Sequence, residues 1–183
     1  NMWPRILLLV QSNAGYLKLC QLLSRAYLEN QTRGRAEIKQ DWLEGLDGQA
    51  IKGSTTEGLI LISGNAQSDI GAAMQTNNHE AAGALINKWS ALFPNRFYLE
   101  LQRTATENSA QESLINNVLN LASQHDLPVV ATHPIQFTTP DDFKAHEART
   151  CIAEGYMLAD SRRPKNFTEQ QYFKSQQEMC ALF

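Results

Sequence analysis

The stretch Leu127-Pro128-Val129-Val130-Ala131-Thr132-His133-Pro134-Ile135-Gln136-Phe137 runs on into Thr139-Pro140-Asp141-Asp142-Phe143-Lys144-Ala145-His146-Glu147. An apolar, β-branched run introduced by Pro and followed by polar residues predicts a buried, parallel strand, then a loop and a helix start. In α/β folds and barrels the C-terminal end of such a strand delivers side chains to the surface where chemistry sits. His133, Pro134 and Gln136 are the residues delivered there. They decide whether this domain performs chemistry of its own.

Working outward, the same kind of apolar run recurs at 5–11 (RILLLVQ), at 58–64 (GLILISG) and at 96–102 (RFYLELQ). The third alternates, with Phe97, Leu99 and Leu101 on one side and Tyr98, Glu100 and Gln102 on the other, so one side is polar or functional. Between the strands, helical spacing predicts helices over 14–29, 67–75, 79–93 and 109–125, and Thr139 with Pro140 opens a further one over 140–154, stopped by Gly155. Residues 30–39 read as loop, 41–46 as a helical turn closed by glycine, and 47–56, with Gly48 and Gly53, as a flexible loop. Ser175-Gln176-Gln177-Glu178 is a capping-box sequence for a last helix. Strands alternating with helices predict an α/β fold with a mainly parallel sheet and right-handed crossovers. Four strands are too few for a closed barrel.

The 183 residues, 43% of them hydrophobic, support one core, or one domain with an appendage. A formal net charge of −3 and a pI near 5.8 argue against a nucleic-acid surface, so no direct DNA grip is expected. The one basic cluster, Arg162-Arg163-Pro164-Lys165, reads as solvated loop. Cys20, Cys151 and Cys180 are far apart, which excludes a zinc or disulfide framework and points to a reducing, cytoplasmic setting. The apolar run 6–10 is too short for a membrane span or signal peptide. Because the chain opens almost inside a strand, residues preceding Asn1 are expected.

No glycine-rich phosphate loop is present, since Ser63-Gly64 and Gly71 lack the spacing. His133 with His146 and Glu147 makes a weak metal signal: one His at a strand end and a His-Glu pair on a helix, the latter read as helix packing. His79 and His125 fall at helix ends, where capping or dipole compensation is expected. Glu100, beside Gln102 and Arg103, is a better site candidate, weighed against a structural ion pair from Arg103. From spacing and composition alone, the chain is a cytosolic α/β domain without an assigned job.

Four segments carry a resemblance: 97–101 (FYLEL), 127–132 (LPVVAT), 142–147 (DFKAHE) and 163–172 (RPKNFTEQQY), supported by 13–16, 58–64, 173–175, 178–179 and Phe183. In these the chain resembles the PHP (polymerase and histidinol phosphatase) domain family, in the form carried by the α subunits of bacterial DNA polymerase III. The resemblance implies a distorted (β/α)7 barrel of which the chain holds the later strands, with 1–160 the C-terminal portion of the PHP domain and 161–183 a tail leading towards a polymerase core. It implies that the family's His-x-His segment lies before Asn1 and the polymerase's catalytic aspartates beyond Phe183.

Hydrolytic members of the family hold metals at the strand ends, where metal-activated water and a cationic clamp act on phosphate esters. The family pattern Ala-Thr-Asn-Asp-x-His aligns with Ala131-Thr132-His133-Pro134-Ile135-Gln136, so Pro134 stands for the Asp ligand and Gln136 for the His ligand. Arg5 aligns with a ligating His, and Asn65 with the Cys of a Ser-Gly-Cys turn. None of Arg5, Asn65, Pro134 and Gln136 is a competent ligand, and the fixed charge of arginine repels a metal. His133 and Glu100 are the possible residual site.

The resemblance therefore implies an architectural, metal-free module with no catalytic residue and no cofactor of its own. It belongs to a parent DNA-directed DNA polymerase that uses magnesium. The implied partners are the rest of the α subunit, a proofreading exonuclease subunit and the other replicase subunits, with no membrane. The alternative is a working metal-dependent phosphoesterase or proofreading PHP domain.

Overall fold

A computed structural model describes residues 4–45, 56–104 and 109–183. The expected loop over 47–56 lies outside them except for Thr56. The element order is β1 (Leu7–Val10), α1 (Asn13–Glu29), β2 (Gln31–Thr32), β3 (Arg35–Ala36), α2 (Gln40–Glu44), β4 (Leu59–Ile62), α3 (Asp69–Gln75), α4 (His79–Leu92), β5 (Phe97–Gln102), α5 (Ser109–Gln124), β6 (Val129–Thr132), a 3-10 turn (Pro140–Asp142), α6 (Phe143–Glu154) and α7 (Gln176–Leu182). The mixed α/β class expected from the alternation is what forms. A four-stranded sheet takes the order β1-β4-β5-β6, and β2 pairs with β3 in a separate hairpin.

The chain divides into two compact units, one of residues 1–100 with 116–130 and the other of 101–115 with 131–183. In the first, the helices start where short polar side chains satisfy free backbone N–H groups: Ser12 accepts from Gly15, Ser68 from Gly71 and Asn78 from Ala81. β4 and β5 are parallel, with Leu61 opposite Phe97, and they carry the core. Leu59, Leu61 and Leu99 are fully buried together with Leu22, Ile86 and Phe93. Each such side chain contributes about 1.5–3 kcal/mol by leaving water. Trp89 of α4 donates its indole N–H to Asp69 of α3 at 3.0 Å, satisfying the one polar group it buries.

Three sequence expectations are corrected. β1 runs antiparallel to β4, with Leu7 opposite Ile62 and Val10 opposite Leu59. The cause is local: Gln11 N–H donates to Gly58 O at 2.8 Å, and α1 abuts Gly58 so tightly that a Cβ on Gly15 would fall 1.9 Å from the Gly58 oxygen. The end of β1 is thereby pinned to the start of β4. Second, β1 and β6 are not the buried strands their apolar runs predict. They are the edges of the sheet, and Leu7, Leu9, Val10 and Val129 are exposed among the described residues. Third, 31–36 is a hairpin and not loop, turned by Arg33 and Gly34, both at positive φ (52° and 79°), the geometry of a type I′ turn.

In the second unit, successive bonds run in step along two strands: Arg103 N–H donates to Thr132 O at 3.3 Å, just as Leu99 N–H donates to Pro128 O at 3.0 Å in the first unit. β6 is thus parallel to β5. Asp142 accepts from both the backbone N–H and the hydroxyl of Thr139, each at 2.9 Å, so the helical run begins at Pro140 with a 3-10 turn before α6. Gly155, at φ 75°, closes α6 as expected. Ser175 and Glu178 form the capping box that opens α7.

Candidate functional site

The loop after β6 is stitched to the segment before α7. Gln136 N–H donates to Gln171 O at 2.8 Å and Phe173 N–H to Phe137 O at 3.0 Å, an isolated parallel bridge between Phe137 and Tyr172. Gln171 is buried; its Nε2 donates to Pro134 O at 3.2 Å and its Oε1 accepts from Thr168 N–H at 2.9 Å. A buried amide bonded through both its nitrogen and its oxygen fixes the loop's register, because breaking the pair strands polar groups away from water.

His133 closes the same seam. Its Nδ1 lies 2.8 Å from Arg103 O and its Nε2 lies 2.7 Å from Gln170 O. Carbonyl oxygens only accept, so a ring nitrogen facing one is either donating to it or crowded by it. Neither nitrogen presents a lone pair to an open coordination position. Pro134 has no donor atom in its side chain, and Gln136 is exposed while its backbone serves the bridge.

The other sequence-derived positions belong to the first unit. Arg5 N–H donates to Gln67 O at 3.1 Å, and Arg5 O packs 2.5 Å from where a Cβ on Gly64 would stand, a fit that needs glycine at φ 75°. Asn65 caps its own turn, its Oδ1 accepting from Gln67 N–H at 3.1 Å. Glu100 N–H donates to the buried Ser63 hydroxyl at 3.0 Å, tying the ends of β4 and β5. Arg5 and Asn65 thus meet around the 64–68 turn, with Glu100 at the adjoining strand end. Among the described residues no three His, Cys, Asp or Glu side chains converge in a geometry that could hold a metal ion. The donor set at the aligned positions (guanidinium, amide, pyrrolidine, amide) does not fit a divalent cation.

The remaining candidates resolve into structure. Arg103 forms a two-pronged ion pair with Glu112, Nε to Oε1 at 2.7 Å and Nη2 to Oε2 at 2.6 Å. It also donates to the Leu182 carbonyl and stands 4.9 Å over the Phe183 ring, so the end of α7 is fastened to the end of β5. Glu147 pairs with Arg163 at 2.7 Å, and Arg162 with Asp160 at 2.8 Å, which accounts for both arginines of the basic cluster. His146 is buried between Phe137 and Phe167. His125 packs near Gly83, whereas His79 opens α4 exposed, where the cap is Asn78. The three cysteines are free. Sequence reasoning missed Gln171 and the Ser63 hydroxyl. Nothing marks either in the local pattern, because their partners lie 37 residues away.

No helix among the described residues is long and apolar enough to cross a membrane. The sequence model of the PHP domain matches residues 2–104. The DNA polymerase III subunit alpha of Pseudomonas fluorescens is 41% identical over 179 residues, which is 98% of this chain and 14% of that protein. That of Neisseria meningitidis serogroup A is 41% identical over 180 residues, again 98% of the chain and 15% of the relative. That of Escherichia coli K12 is 37% identical over 175 residues, 96% of the chain and 14% of the relative. The chain therefore spans about one-seventh of the length of the curated relatives it matches.

Proposed function

This chain belongs to the PHP domain family, and from that premise we propose that it is the architectural, metal-free PHP module of a replicative DNA polymerase α subunit. The module contributes to template-directed DNA synthesis by carrying structure, and it hydrolyses nothing itself. Its strands form part of a (β/α)7 barrel, and residues 161–183 lead towards the polymerase core. The magnesium-dependent nucleotidyl transfer belongs to residues of the parent polypeptide, which works in the cytoplasm. Its partners are the rest of the α subunit, a proofreading exonuclease subunit and other replicase subunits.

The observation that carries this reading is the state of the loop after β6. Metal-dependent phosphoester hydrolysis needs anionic and imidazole ligands with free lone pairs. Pro134 and Gln136 supply neither, and both nitrogens of His133 are occupied by the Arg103 and Gln170 carbonyls. The hydrogen bonds of Gln171 fill the seam instead. The relatives' names supply the polymerase context.

A chimera tests the proposal: this chain replaces the matching segment of the Escherichia coli relative. DNA synthesis is retained and no chelator-sensitive phosphoesterase activity appears. Loss of synthesis with an intact fold, or hydrolysis that a chelator abolishes, overturns it.

A further inference from the structure

His146 is a buried titratable group that the proposed function does not use. Its side chain packs against Phe137 with ring centroids 5.5 Å apart and edge-on against Phe167 at 4.7 Å, and Phe137 in turn meets Phe143 at 5.8 Å. These rings fasten α6 to the segments before and after it. Arg149 Nη2 stands 3.1 Å from His146 Nδ1. A guanidinium only donates, so Nδ1 accepts and the ring is the neutral Nε2–H tautomer. That Nε2 is buried with no hydrogen-bond partner.

We propose that His146 is an acid-sensitive latch of the second unit: neutral, it holds α6 in the aromatic cluster, and protonated, it releases it. Adding a proton at Nδ1 breaks the bond from Arg149 and sets two cations 3.1 Å apart. A second buried N–H then also lacks an acceptor. The charges around the ring do not offset this. Glu147 alone favours the proton, and its carboxylate is committed to Arg163 of the segment that bears Phe167. Asp142, one turn earlier on the helical run, is tied to Thr139, and in the Phe137 loop residues 134–138 carry no ionisable side chain while His133 is engaged with the Arg103 and Gln170 carbonyls. Burial first, then Arg149, therefore hold the His146 pKa below its ordinary value of 6.5. The sign follows. Above the ordinary value both folded and unfolded chains carry a neutral ring; as pH falls through it, the unfolded chain takes up the proton first and the second unit loses stability.

The test is nitrogen–proton NMR of the histidine rings of the whole 183-residue chain, together with urea unfolding at about pH 7.5 and about pH 5.5. At the higher pH, His146 shows the Nε2–H tautomer. On acidification the Phe137 and Phe167 ring resonances lose their cluster shifts as His146 protonates, and the urea midpoint falls. In His146→Phe, which keeps an aromatic ring but cannot titrate, that acid-dependent fall shrinks. Arg149→Met, which removes the opposing cation, moves the His146 titration upward. The wild-type NMR decides even if a variant fails to fold. An Nδ1–H tautomer, or protonation that leaves the Phe resonances unmoved, overturns the latch; so does an unchanged acid-dependent fall in a folded His146→Phe.

Discussion

His133 Nε2 lies 2.7 Å from the Gln170 carbonyl oxygen, while the other nitrogen of the same ring lies 2.8 Å from Arg103 O. His133 thus serves as a clasp between the loop after β6 and the segment before α7. His133→Ala removes both contacts. At about 1 kcal/mol for a net hydrogen bond, amide exchange at Gln136 and Phe173 should accelerate by roughly fivefold. Hydrogen-exchange NMR reads this directly, and unchanged protection would deny the clasp its structural role.

Arg103, whose carbonyl meets His133, uses its side chain to fasten the end of α7. Its fork on Glu112, with a third bond to the Leu182 carbonyl, matches carboxylate geometry in a way lysine cannot reproduce. Arg103→Met should cost about 2 kcal/mol, because it leaves a partly shielded carboxylate without its partner. Arg103→Lys should recover little of that. Urea denaturation gives the cost, and exchange of the α7 amides shows whether the helix end is what comes loose.

Glu178 is held down to about 2, first by the Tyr172 hydroxyl and then by the backbone N–H and hydroxyl of Ser175. A carboxyl depressed in the folded chain contributes stability that is present above its ordinary value of 4.5 and lost as pH falls through the folded value. The α7 cap should therefore persist through mild acid. Carboxyl-carbon NMR should show Glu178 titrating far below the other glutamates, and Glu178→Gln should weaken α7 even at neutral pH. A Glu178 titration at the ordinary value contradicts the geometry.

Gly15 has no room for a methyl group, since its Cβ would overlap the Gly58 carbonyl and Gly58 itself sits at φ 74°. Both obstacles are backbone, so neither can swing aside. Gly15→Ala should destabilise the first unit by about 3 kcal/mol. Ala14→Gly, one position earlier on an exposed face, should cost no more than about 1 kcal/mol. Comparable losses at the two positions would mean that the contact between α1 and Gly58 does not fix β1 against β4.

Helix starts were legible where a cap is a local event: Ser12, Asn78 and Ser175 each serve an N–H three residues on, whereas the start expected at Gln67 falls instead at Asp69, behind the Ser68 cap. Strand direction and edge position were not legible, because they depend on what the strand pairs with. LLLV in β1 and VVAT in β6 read like interior strands and form the two sheet edges. The 31–36 hairpin has two residues per strand and an Arg-Gly turn in place of the usual Asn-Gly, too little pattern to register. At the site, the identities of Pro134 and Gln136 carry meaning only when aligned with the PHP pattern. The carbonyls that occupy His133 come from positions 30 and 37 residues away, beyond any local spacing rule.

Metal stoichiometry tests the central claim most directly. The chain, and the polymerase chimera that carries it, are incubated with zinc or manganese, desalted and measured by plasma mass spectrometry alongside a phosphoesterase assay. The proposed module retains no stoichiometric metal and hydrolyses no phosphate ester. A full equivalent of bound metal, with hydrolysis that a chelator abolishes, would contradict the reading that Pro134, Gln136 and the clasped His133 mark a site given over to structure.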